Sequence, residues 1–132
     1  MFKKKSKYIL AGLSVFLLLG GGALYGSAQP LLSDPSTRLD VTRGSDGWWT
    51  GRGLMHAHSR AIMGSRYQTR VGGPGGLITN WVTVTITSPT QIVRSHAIIT
   101  SSSTPTFTGN YEVSPPGSRV FRALPNRVAN VR

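Results

Sequence analysis

Cysteine is absent from this 132-residue chain, which excludes disulfide staples and thiolate-bound metal as sources of stability. Acidic residues are nearly as scarce: Asp34, Asp40, Asp46 and Glu112 stand against fifteen lysines and arginines, for a net charge of +11. Three of the four carboxylates fall within a short Pro/Ser/Thr-rich stretch and Glu112 stands alone, so the carboxylate pair of a glycoside-hydrolysing acid and base is lacking. No Gly-x-Ser-x-Gly elbow occurs, and scattered serines without a positioned base and an orienting carboxylate make no triad. The glycine-rich residues 72–76 are not followed by Gly-Lys-Ser/Thr and match neither a phosphate loop nor a dinucleotide fingerprint. The reading is therefore of a non-enzymatic protein without a cofactor.

Lysine is missing too, everywhere after Lys7. Lys3, Lys4, Lys5 and Lys7 precede an apolar run over residues 8–19, a glycine hinge at 20–22 and the small-residue site Gly26-Ser27-Ala28. This is the layout of a secretory signal peptide over residues 1–28. A retained anchor is the alternative, because the 18 residues from Tyr8 to Tyr25 just exceed the lower limit of about 17 for a membrane helix. Three consecutive glycines, each costing helix roughly 1 kcal/mol against alanine, favour the signal peptide. In either case the basic start stays behind and the remainder is exported, which predicts a secreted or envelope-associated protein.

What remains after Ala28 is one domain's worth of chain, with eleven arginines against four carboxylates and a net charge of +7. Residues 29–47 are rich in Pro, Ser, Asp, Thr and Gly and read as a flexible arm. From Trp48 to Arg132 the composition turns to threonine, valine and isoleucine, punctuated by glycine and proline about every ten residues, which predicts β structure. Over residues 55–71 the odd positions are mostly apolar or small, whereas His56, His58, Arg60, Arg66, Gln68 and Arg70 occupy even ones. Strand side chains switch faces at every residue, so the odd set is expected inside and the cations outside, with a bend or bulge at Gly64-Ser65 that divides the stretch into two strands.

Residues 81–87 place Val82, Val84 and Ile86 on one face and threonines on the other, the pattern of a half-buried strand. A turn at 88–90 leads to a partner strand over 91–101, with Val93, Ala97 and Ile99 alternating against Arg94 and His96. Gly109-Asn110 between Phe107 and Tyr111 suggests a hairpin turn. Residues 119–124 form a last strand, and the tail 127–132 either pairs at an edge or stays free. The expected fold is all-β: a small antiparallel β-sandwich or barrel of five to seven strands, preceded by a helical signal peptide and a flexible arm.

Few constellations carry chemistry. His56 and His58, two apart on a strand, would share a face, with His96 as a third nitrogen and Met55 and Met63 as thioethers for a zinc or copper site. Arg60 on the same face and the lack of a neighbouring carboxylate oppose it. Trp48 and Trp49, followed by Gly51, Arg52 and Gly53, form either an aromatic platform or the seal at one end of the core. The arginines are the strongest signal. Guanidinium binds phosphate and carboxylate through paired hydrogen bonds that ammonium does not reproduce. The expected binding set is therefore Trp48, Trp49, Arg52, Arg60, Arg66, Arg70 and Arg94, directed at an anionic envelope polymer or lipid.

No dedicated nucleic-acid motif accompanies the charge. A signal peptide, a small cysteine-free basic β domain and tryptophans near its start together resemble, in outline, secreted β-sandwich bacteriocins of the lactococcin 972 type. That resemblance implies an antagonistic toxin as one alternative to a passive envelope binder. A structural or assembly subunit pairing through exposed strand edges is another.

Overall fold

The computed structural model describes residues 28–132; the expected signal peptide, residues 1–28, lies outside them apart from Ala28. Among the described residues the chain is all-β and forms two antiparallel sheets. The strands are β1 (Ser36–Arg43), β2 (Trp49–His56), β3 (Arg66–Gly72), β4 (Val82–Thr85), β5 (Ile92–Arg94), β6 (Ile98–Thr100), β7 (Thr106–Ser114), β8 (Arg122–Ala123) and β9 (Arg127–Asn130). In the first sheet β2 is central, paired along its length with β1 and on its other side with β5 and then β6. In the second, β7 is central, paired with β3 on one side and with β8 and β9 on the other, while β4 flanks β3.

Each sheet thus has a long central strand with one edge broken in two, and both breaks are one-residue slips. Leu54 faces Arg94 but Gly51 faces Ile98. Val113 faces Arg122 but Gly109 faces Arg127. An extra residue on one side of an antiparallel pair is a β-bulge, and it reverses the faces of everything beyond it. At the first break the Ser95 hydroxyl accepts the Gly53 N–H at 2.9 Å and donates to the His96 carbonyl at 2.7 Å. At the second, Pro125 has no N–H to give to a ladder. Counting each broken edge as one strand, the two sheets hold seven, the upper end of the expected range.

The core has two centres. One gathers Met55, Tyr67, Ile86, Val93, Tyr111, Val113 and Leu124 from both sheets; the other gathers Val71, Ile98 and Phe107 with Leu39, Val41 and Trp49 against them. Small residues let the sheets approach between the two. A Cβ on Gly51 would collide with the Phe107 ring and one on Gly53 with the Thr69 hydroxyl; within β7, one on Gly109 would collide with the Tyr111 ring. Tyr111 lies back over Gly109 and donates from its hydroxyl to the Arg38 carbonyl of β1 at 2.6 Å. This bond spans the two sheets. Burial pushes the Tyr111 phenol well above its ordinary range, with Asp40 adding to the rise and Arg127 opposing it.

Four expectations are corrected here. Residues 29–47 are not a flexible arm: Ser36–Arg43 is the full-length edge strand of the first sheet, with Leu39 and Val41 packed on the core. The β domain therefore begins before Trp48. Gly109-Asn110 is not a turn, because Gly109 is needed as an extended residue beneath Tyr111 and β7 runs unbroken through it. Ile99 points outward and Ile98 inward, because the bulge over residues 95–97 exchanges their faces. Residues 55–71 do divide into two strands, but not at a bend or bulge at Gly64-Ser65: β2 ends at His56, β3 begins at Arg66, and residues 57–65 cross between the two sheets. The odd positions Met55, Tyr67, Thr69 and Val71 are nonetheless all buried.

Candidate anion-binding face

Alternation along each strand sets which arginines reach which side. With Met55 and Gly53 inward, Arg52, Leu54 and His56 point away from the core on the first sheet, together with Arg38 and Asp40 of β1 and Arg94 of β5. With Tyr67 and Thr69 inward, Arg66, Gln68 and Arg70 point away on the second sheet, alongside Glu112 and Asn110 of β7. The arginines of the expected binding set consequently lie on opposite outer faces. Arg60 sits in the crossing loop, and the tryptophans sit at the end where β1 turns into β2. Trp48 is exposed there, whereas Trp49 packs on the core with the Arg43 guanidinium 5.6 Å from its ring centroid.

The two faces use their cations differently. On the second sheet the Arg66 guanidinium donates to the Ser118 carbonyl and lies 5.0 Å from the Phe121 ring centroid. Arg70 donates to the Asn110 side chain at 3.2 Å and lies over Trp81 at 4.4 Å. Gln68 completes the network, donating to Glu112 at 2.6 Å and accepting from Thr83 at 2.9 Å. On the first sheet Arg38 pairs with Asp40 at 2.6 Å, both partners being well exposed. Arg52 and Arg94 are exposed and have no hydrogen bond or ion pair among the described residues.

Register fixes the spacing of this first-sheet group. Arg38, Leu54 and Arg94 are directly opposite one another across three strands, and Asp40 and Arg52 form the adjacent row. Strands about 4.8 Å apart and rows two residues apart put Arg52 diagonal to Arg94, roughly 7 Å between backbones. Leu54, although directed outward, is only 4% exposed, as expected when flanking arginines lay their aliphatic stems over it while their heads stay in water. Three guanidiniums with one carboxylate among them make a compact cationic patch suited to bidentate contact with phosphate or carboxylate. Sequence reasoning missed Arg38 and Leu54. The alternation Thr37-Arg38-Leu39-Asp40-Val41 was the signal for the first, and only register identifies the second.

The histidines do not share a strand face. β2 ends at His56, and His58 is held in the crossing loop: its Nδ1 accepts the Arg60 N–H at 3.0 Å, so Nε2 carries the proton and donates to the Asp34 carbonyl at 2.7 Å. His96 is exposed on the first-sheet bulge. Among the described residues no three His, Cys, Asp or Glu side chains gather as metal ligands. No protein-family model matches the chain, and no curated protein or solved structure is detectably similar to it.

Proposed function

We propose that the protein is an exported, non-enzymatic β domain that associates with an anionic surface of the cell envelope, a polymer or a membrane, through the outer face of the first sheet. The observation that carries this reading is the patch of Arg38, Arg52 and Arg94, in which Arg52 and Arg94 have no internal partner among the described residues. An anionic polymer or headgroup would supply the carboxylates and phosphates that the chain itself lacks. Retention of this kind is electrostatic. It weakens as the screening length shortens from about 8 Å at physiological salt to about 3 Å at 1 M.

Salt elution from the envelope fraction of producing cells tests the proposal. Arg52→Gln with Arg94→Gln should release the protein at lower salt than the native chain, whereas Arg66→Gln with Arg70→Gln should leave the elution point in place. Retention that persists unchanged at 1 M salt, or that responds equally to the two double substitutions, sinks it.

A further inference from the structure

Beyond the arginine face, the two ends of the sandwich differ. At the end where β2 leaves its sheet, three segments are tied together. The N-terminal turn is closed by the Leu31 N–H donating to Asp34 Oδ2 at 2.6 Å; Asp34 is nearly buried and pairs through Oδ1 with Arg122 at 2.6 Å. The His58 ring joins the crossing loop to this turn, and Gly64, at a φ of 89°, packs that loop against Pro116 of the β7–β8 connection. These ties hold the backbones, yet the tips are apolar and open to solvent: Leu31, Leu32 (77% exposed), Ile62 (51%), Met63 and Val120 (76%). The exposed charges among them are Arg60 and Arg119, and the nearby carboxylate, Asp34, is already paired with Arg122.

We infer that this end is a lipid-contacting apex, its apolar tips entering the interface of a bilayer with anionic headgroups while Arg60 and Arg119 stay at headgroup level. The inference rests on the envelope reading and names a membrane, not a polymer, as the surface. Interleaved apolar and basic side chains are what an interfacial membrane contact requires, since burial of the tips and attraction of the cations add. Arg38 and Arg94 continue the charge, one row inward from His56 and Ile92 on the first sheet. The opposite end fits less well. It also exposes Trp48, Leu77 and Ile78, but Asp46 is exposed in the same turn as Trp48 and would meet anionic headgroups unfavourably.

All three tryptophans lie toward that opposite end, so intrinsic fluorescence reports orientation. Eight residues of β2 at about 3.4 Å each separate the ends by roughly 25 Å. The protein recovered from producing cells is mixed with phosphatidylglycerol vesicles whose acyl chains are brominated, in native form and as Ile62→Trp, with Met63→Trp as a second reporter should the first fold poorly. The expected result is unchanged emission from the native tryptophans and loss of emission from the new one. Leu32→Ser with Ile62→Ser should lower vesicle partitioning about tenfold or more, each tip contributing on the order of 1 kcal/mol or more.

Quenching of the native tryptophans would overturn the inference, as would vesicle binding that quenches neither reporter, in which case electrostatic docking alone survives. Self-association that shields residue 62 without vesicle binding would assign the apex to a second copy and overturn it equally. Quenching at residue 62 that is as strong on neutral phosphatidylcholine as on phosphatidylglycerol would keep the apex in the bilayer and remove the anionic-surface reading instead.

Discussion

The two outer faces of this molecule carry similar cations and treat them in opposite ways. On the second sheet Arg66 and Arg70 lie over aromatic rings and donate to a backbone carbonyl and an amide oxygen, so their guanidiniums belong to the fold. On the first, Arg52 and Arg94 stand without internal acceptors among the described residues, and Arg38 shares an exposed carboxylate. Charge counting cannot separate these situations, because Arg66 and Arg70 are satisfied without any acid. What separates them is the neighbour that register supplies: Trp81 and Asn110 beside Arg70, but Leu54 beside Arg94. An arginine whose donors are already used has fewer to offer a partner.

The largest loss of stability is expected at the Asp34–Arg122 ion pair, in which the carboxylate is buried and the guanidinium half-buried. Asp34→Ala would strip Arg122 of its carboxylate partner, leaving it only the Gln29 carbonyl, and the Leu31 N–H of its side-chain acceptor. Removing one member of a buried pair costs about 3–5 kcal/mol, and because Arg122 keeps partial access to water the lower part of that range, about 3 kcal/mol, is expected in urea unfolding. The apex segments should also loosen, with faster amide exchange at Leu31 and in residues 57–65. A loss below about 1 kcal/mol would mean that Asp34 is no anchor. Next comes Arg70→Gln, which removes a contact with Trp81 and a hydrogen bond to Asn110; these together are worth about 1–2 kcal/mol, read as a drop in Tm with no change in the salt needed for elution.

How much of this was legible beforehand depends on the distance over which the information acts. The burial of Val82, Val84 and Ile86 and of the odd residues in β3 followed from alternation alone, a relation between neighbours in sequence. Ile98 and Ile99 exchanged roles because a bulge depends on which residue lies opposite, which alternation does not report. Gly109 looked like a turn because its reason for being glycine is the Tyr111 ring above it. β1 was hidden by its charge: Arg38 and Asp40 lend Ser36–Arg43 the composition of a linker, although every second residue faces the core. The candidate site suffered in the same way. The arginines were visible, but the crossing of residues 57–65 from one sheet to the other split them between two faces.

Tyr111 couples the faces, since its hydroxyl reaches from β7 to the Arg38 carbonyl. Its raised pKa sets the sign of a pH effect. The folded phenol holds its proton above pH 10, where an unfolded tyrosine of ordinary pKa releases it, so the unfolded state binds fewer protons and stability falls with rising pH. The contribution is fully present below about pH 10 and is lost progressively above it, with a slope approaching about 1.4 kcal/mol per pH unit for one such group. Tyr67, raised by burial and by the nearby Asp34 charge, acts in the same direction. Tyr111→Phe should cost about 1 kcal/mol at neutral pH and flatten the alkaline slope. A slope equal to that of the native chain would place the titrating group elsewhere.

The two faces differ most plainly where stability is expected to change least. Arg52→Gln and Arg94→Gln remove charge from exposed side chains that hold nothing in place, so the unfolding free energy should stay within about 0.5 kcal/mol of the native value. Arg52 faces Asp40 in register, yet Asp40 bonds to Arg38; an exposed pair of this kind is worth about 1 kcal/mol or less, so even a rearranged bridge would change little. Relief of repulsion among three neighbouring guanidiniums would make the double substitution neutral or slightly stabilising, most visibly at low ionic strength where screening is weak. A clear loss of stability at physiological salt would show that these arginines serve the fold as Arg66 and Arg70 do, and the distinction between the two faces would disappear.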